Sequence, residues 1–248
     1  MMKKRMYLVM ACCAAFLLSC ADLDPLPWTQ NDAFISTKYA ADSSLVHGLS
    51  LYSRSNKRLA SSTATTPSGD EISMNVYIAN QPYEFLWDDE LSSELPEAGT
   101  YSFYAITKSD DKEVEGEDVL KDKYLVPTKI VSCEYDSVYS KLNVVWRKVT
   151  DASYAVMYIK NAQNKEVYAT STLTANDTTE TITASSKLWL AIDAVNLVEG
   201  AYVPTEGEEL TLQVVHYKKD ATDENAKLLD ARAICTYDFI WHDSIISE

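Results

Sequence analysis

The sequence predicts an all-β protein: two tandem β-sandwiches carried behind a cleavable leader and a short tether. Three observations carry that expectation. Apolar residues recur at every second position through most of the chain, the period of a strand with one buried face. Sixteen tyrosines, five tryptophans and five phenylalanines supply side chains suited to a pleated, half-buried surface. The segments between the alternating runs, such as "TTPSGD" and "ELPEAGT", are rich in turn-forming residues. Six glycines are few for a repetitive β-solenoid, and an apolar fraction of 46% is ordinary for a globular core.

The N-terminus has the three parts of a secretory signal over residues 1–19. Lys3, Lys4 and Arg5 form a basic head, residues 6–18 are uncharged and apolar, and the small Ser19 precedes Cys20. That apolar run is shorter than the roughly 20 residues a spanning helix needs, so it reads as a leader. "LLSC" resembles a bacterial lipobox, which implies cleavage before Cys20 and its lipidation, with Cys12 and Cys13 lost in the leader. The run "CADLDPLPWTQNDAF" resembles the opening of surface lipoproteins of Bacteroidota, at Cys20, Asp22, Asp24, Pro25, Thr29 and Phe34. This implies an outer-membrane protein held by its N-terminal lipid, facing the cell surface or the periplasm. Residues 20–42 are expected to be the tether, because Pro25 and Pro27 disfavour regular structure; a short helix over 31–41 is the alternative there.

Residues 43–125 are the expected first sandwich. Ile72, Met74, Val76 and Ile78 share one strand face, as do Tyr83, Phe85 and Trp87, and Tyr101, Phe103 and Ala105. "GTYSFYAIT" resembles strands of fimbrillin-like proteins. The charged stretch "KSDDKEVEGEDVLKDK" reads as a solvated loop leading to a boundary near residues 124–127.

Residues 126–248 are the expected second sandwich. "PTKIVSCEYDSVYSKLNVVWRKVTDASYAVMYIK" resembles the first half of a fibronectin type III domain, with Pro127 opening it. Leu142, Val144 and Trp146 match a core strand there, and Ala152 precedes "SYAVMYI". "GEELTLQVVHYKK" matches a later strand through Leu210, Leu212 and Val214, although that family commonly has tyrosine where Leu210 stands. "ARAICTYDFIW" matches the last strand. The resemblance implies an immunoglobulin-like or fibronectin-like β-sandwich.

Chemistry has little to work with. The net charge of −15 makes nucleic acid an unexpected partner. His47, His216 and His242 are far apart in sequence, and no nucleophile-elbow, zincin, Walker or dinucleotide motif occurs. The expectation is a non-enzyme without cofactor or metal. Asp88, Asp89 and Glu90, like Asp110 and Asp111, are adjacent acids of the kind usually solvated in loops. Cys133 and Cys235 fall in the first and last strands of the second sandwich, as a disulfide or as two buried thiols.

Aromatic residues are the candidate binding groups: Trp28, Trp87, Trp189, Tyr202 and Trp241 either stack on sugar rings or anchor cores. Trp87 with Tyr83 and Asp88 makes a candidate glycan-stacking group, an aromatic plane beside a hydrogen-bonding carboxylate. The triplets "DSV", "DTT" and "DSI" resemble the O-glycosylation motif of Bacteroidota, which implies Ser137, Thr178 and Ser244 as sites. The leading expectation is a non-catalytic outer-membrane lipoprotein that binds glycan or a partner surface protein. A fimbrial anchor or accessory subunit is the alternative, and a glycan-active enzyme the third.

Overall fold

The computed structural model describes residues 25–77, 82–136, 138–183, 185–186, 188–192, 197–199, 202–221 and 228–241. All regular structure among them is β. The first half contains β1 (Thr29–Tyr39), β2 (Leu45–Ser55), β3 (Leu59–Thr65), β4 (Glu71–Ser73), β5 (Asn75–Val76), β6 (Glu84–Asp88), β7 (Gly99–Thr107) and β8 (Glu113–Leu120). The second contains β9 (Ile130–Asp136), β10 (Lys141–Trp146), β11 (Tyr154–Asn161), β12 (Glu166–Ala169), β13 (Leu173–Thr174) and β14 (Thr179–Thr183). It closes with β15 (Leu190–Ile192), β16 (Leu197–Glu199), β17 (Glu208–Lys219) and β18 (Leu229–Trp241).

One large sheet runs through both halves in the order β12-β11-β17-β18-β1-β2-β6-β5, with β13 also pairing β11. A four-stranded sheet, β4-β3-β7-β8, covers one end of it, and a three-stranded sheet, β14-β10-β9, covers the other. Two β-sandwiches are therefore present as expected, but they share a continuous layer. The joint is a parallel pairing of β1 with β18, from Ile35 opposite Ala231 to Lys38 opposite Ile234.

Each sandwich has its own core. In the first, Ala33, Ile35, Leu49, Leu51 and Phe85 of the large sheet meet Leu59, Ala64, Tyr101, Phe103, Ala105 and Leu120. In the second, Met157, Ile159, Leu212 and Val214 meet Leu142, Val144, Trp146 and Ile182, with Trp189 and Trp241 filling the end. Period two explains both sets, since residues two apart share a face. A small cluster of Leu125, Val149, Ala231 and Ala233 packs at the joint.

Two expectations about local structure are corrected. Residues 29–39 form β1, a central strand, instead of tether or helix. Seven consecutive residues of it are buried, because one face carries Ala33 and Ile35 into the first core and the other carries Phe34 and Ser36, which the Arg232 side chain covers. The charged stretch after Thr107 forms β8, not a loop, paired with β7 from Glu113 opposite Ile106 to Leu120 opposite Gly99. Its exposed acids line the free edge of the four-stranded sheet, where charge discourages pairing with another chain. Gly116 lets β8 lie against β1: a Cβ there would sit 2.1 Å from Asn31 Nδ2.

Candidate functional site

The face of the large sheet turned away from the two cores carries the other half of each alternation. On β11, Ala155, Met157 and Ile159 point into the second core, so Tyr154 and Tyr158 point out. On β17, Val215 and Tyr217 stand opposite Leu212 and Val214 in the same way. Phe34 on β1, Tyr52 on β2 and Leu86 on β6 extend this surface into the first half. Tyr77, just beyond β5, closes the far end. Burial, and next the charge of Glu166 on β12, push the Tyr77 phenol up. Tyr77 and Glu166, from opposite ends of the strand order, line one groove, so the sheet curls until its ends flank it.

That groove has a volume of about 500 Å³, and a second depression of about 390 Å³ adjoins it. Arg232 of β18 forms its floor. Its Nε donates to Ser36 Oγ at 2.9 Å, and its Nη2 donates to Ser50 Oγ at 3.1 Å and to Asp88 Oδ1 at 2.7 Å. The guanidinium carbon also lies 5.5 Å from the centre of the Phe34 ring. The charge is thereby fixed in place and largely neutralised by Asp88.

Tyrosines make the walls. Tyr154 and Tyr217 stack with ring centres 4.9 Å apart and planes 16° from parallel. The hydroxyls of Tyr158 and Tyr217 stand 3.5 Å apart. Burial pushes the Tyr154 and Tyr158 phenols up to about 12 and also raises that of Tyr217, so all three are neutral hydrogen-bonding groups. Burial likewise raises the Glu166 carboxyl, against the lowering pull of Lys160 and Arg232. At the deepest point Asp32 is 2% exposed, and its Oδ2 accepts the Leu229 N–H at 3.0 Å. Desolvation raises its carboxyl well above the usual range, and the neighbouring Asp118 charge adds to that.

The residues singled out from sequence are distributed differently. Trp87 and Asp88 are consecutive in β6, so they face opposite sides of the sheet. Trp87 packs against the first core while Asp88 pairs with Arg232, and Tyr83 lies just outside the strand, 40% exposed. The stacking group is therefore not assembled, because an aromatic and its immediate neighbour share no face. Trp189 and Trp241 are core anchors in contact at 5.4 Å, and the Trp189 indole N–H donates to Thr183 O at 2.8 Å. Tyr202 stacks on Trp189 and its hydroxyl donates to Glu208. Trp28 is half exposed at the edge of β1.

Cys133 and Cys235 are free thiols; the Cys235 thiol donates to Thr128 O at 2.8 Å, and burial pushes both thiols up to about 12. Thr178 lies in the half-buried turn before β14, where its carbonyl accepts the Trp146 N–H at 2.9 Å. Cys20, Ser137 and Ser244 lie outside the described residues. Among the described residues no three of His, Cys, Asp and Glu are placed to hold a metal.

Sequence reasoning missed Tyr52, Tyr77, Tyr154, Tyr158, Tyr217 and Arg232. The signal was present in "YAVMYIK", where both tyrosines fall on the strand face that the core residues leave free. What it lacked was any sign that strands so far apart in the chain share one sheet.

No family model and no curated protein matches the chain. Solved structures similar to it include a biofilm-associated protein BSP domain, at 13% identity over 88% of this chain and 30% of that one, with a TM-score of 0.26. The FN1-FN3 domains of chicken CNTN1 share 10% identity over 85% of this chain and 64% of that one, at 0.27. A tetra-tandem repeat from the extending region of a large adhesion protein shares 12% over 85% and 50%, at 0.23. The chain spans between about a third and two thirds of the length of these structures, and likeness of this size assigns no activity.

Proposed function

We propose that the protein is a non-catalytic, lipid-anchored outer-membrane module that binds glycan in the tyrosine-walled groove. The anchor rests on the lipobox-like "LLSC" at Cys20, and the ligand class on the groove. One observation carries the latter: tyrosine faces and hydroxyls converge with Glu84, Glu166 and Arg232 around a space of about 500 Å³. A sugar ring offers an apolar face to stack and hydroxyls that both donate and accept, and these walls answer each of those needs. The engagement of Asp88 by Arg232 and Ser50 supports binding over acid–base chemistry, since that carboxylate is held as a floor strut.

The test is a glycan array followed by calorimetry on the chain without its leader. Tyr158→Ala is expected to weaken the best glycan about five- to tenfold, in line with about 1 kcal/mol for one stacked ring. Tyr139→Ala, at an exposed turn outside the groove, leaves affinity unchanged. Absence of any glycan ligand, or full affinity in Tyr158→Ala, overturns the reading.

One observation favours the fimbrial alternative. Beyond Ile234 no described strand pairs with the β1-side edge of β18, and Tyr237 and Ile240 there are exposed. A structural subunit adds a partner strand at such an edge. Concentration-dependent assembly abolished by Ile240→Lys would support it.

A further inference from the structure

Because β1 begins at Thr29, little free chain separates the folded body from Cys20. The turn between β2 and β3 also holds the residues just before β1. Asn56 Nδ2 donates to Leu26 O at 3.1 Å, Asn56 Oδ1 accepts the Trp28 N–H at 2.9 Å, and the Asn56 N–H donates to Trp28 O at 3.4 Å. Pro25 and Pro27 fix their own φ and confine Leu26 between them to extended backbone. What remains is the link from Cys20 to Pro25, which spans at most about 18 Å. A body tied to lipid at Cys20 therefore stays beside the bilayer, with the start of β1 nearest to it.

The side chains at that end suit a bilayer surface. The held segment presents Leu26 at 79% exposure and Trp28 at 47%. Tyr83 adjoins them: its carbonyl accepts the N–H of Ser55, the neighbour of Asn56, at 2.8 Å, and its side chain is exposed. Tryptophan and tyrosine collect at the lipid–water boundary, because each has an apolar body and a polar tip.

Charge points the same way. Lys57 and Arg58 follow Asn56 in the turn, and the Lys108 N–H donates to Arg58 O at 2.7 Å, which brings the turn between β7 and β8 alongside. Across residues 56–58 and 108–112, Lys57, Arg58, Lys108 and Lys112 outnumber Asp110 and Asp111, and Asp110 is paired with Lys112 at 2.9 Å. This is a local excess of cations in a chain of net charge −15. Phosphate headgroups attract such an excess within a Debye length.

We infer that this end of the first sandwich is a membrane-seating surface: Leu26, Trp28 and Tyr83 enter the lipid–water boundary, and Lys57, Arg58 and Lys108 face the phosphates. The surface orients a protein that the lipid at Cys20 retains, and so rests on the anchor reading.

The test supplies the anchor chemically, so its outcome does not depend on lipidation in cells. The chain from Cys20 onward is coupled through that thiol to maleimide lipid in vesicles of phosphatidylethanolamine and phosphatidylglycerol. Burial pushes the other two thiols, Cys133 and Cys235, up to about 12 and keeps them unreactive at pH 7. Trp28 emission, read as the difference between wild type and Trp28→Phe, is expected to shift to shorter wavelength on coupling. Lipid brominated near the headgroup end of its acyl chains is expected to quench it. Lys57→Ala with Arg58→Ala is expected to lower the partition of the uncoupled chain onto the same vesicles, about fivefold for each cation removed. Absence of quenching, equal quenching in Trp28→Phe, or full partition of the double variant overturns the inference. The anchor reading is judged separately, by where Cys20→Ala goes in fractionated cells.

Discussion

His216 shows how one buried side chain ties the fold to pH. It is 1% exposed, its Nδ1 has no partner, and burial lowers its pKa from 6.5 to about 4. Above pH 6.5 the imidazole is neutral folded and unfolded alike, and it contributes no pH dependence. Between 6.5 and 4 the unfolded chain takes up a proton that the folded chain refuses, so stability falls as pH falls. The loss is on the order of 3 kcal/mol across that window. Urea denaturation at pH 7 and pH 4.5 is expected to show a smaller drop for His216→Gln than for the wild type. Asp32 has the opposite sign. Its raised carboxyl favours the fold only below the ordinary carboxylate range, and that contribution disappears as pH rises through the raised value. Asp32→Asn should therefore unfold at a higher urea concentration than the wild type at pH 7.

Among the elements, β1 is the one on which both sandwiches depend. It supplies Ala33 and Ile35 to the first core, pairs β2 along its whole length, and joins β18 in parallel. Further ties between the halves lie close to it: Thr37 donates to Arg232 O at 3.3 Å, and Asp32 accepts from Leu229. A chain starting at residue 43 would keep every other strand yet expose the β2 edge, the β18 edge and part of the first core. We expect it to be insoluble or to lose the cooperative unfolding of the chain that begins at residue 21, as read by circular dichroism against urea. If β1 were dispensable, the two transitions would coincide. Its role was hidden in sequence because "TQNDAFISTKY" is more polar than apolar. Asn31, Asp32, Ser36 and Thr37 are buried there through hydrogen bonds that only the assembled sheet supplies. By contrast β10, β11 and β17 were plain in the sequence, since each buries an unbroken alternate set.

At the scale of the whole molecule, the groove exists because one sheet is long enough to curl around its own outer face. The acidic surface, at a net charge of −15, disfavours anionic lipid, so the proposed attachment to a membrane rests on the lipid at Cys20. Cys20→Ala is expected to move the protein from the membrane pellet to the soluble fraction of fractionated cells, with glycan affinity unchanged. Equal retention in the membrane would count against the anchor.

Composition and period two determined the all-β class, the leader-like N-terminus and the inward faces of β7, β10, β11 and β17, because these depend on short-range patterns. The expected shared face of Ile72, Met74 and Val76 is instead split between β4 and β5, which join different sheets and leave Val76 exposed, and Ile78 lies outside the described residues. Pairing across the chain was decided only in the tertiary structure. That step put Asp32, Tyr52, Tyr154 and Arg232 into one groove and parted Trp87 from Asp88. A strand's sequence records which of its faces is apolar but not which strand lies beside it, and partners such as Ile35 and Ala231 are set by the packing of two cores against one shared sheet.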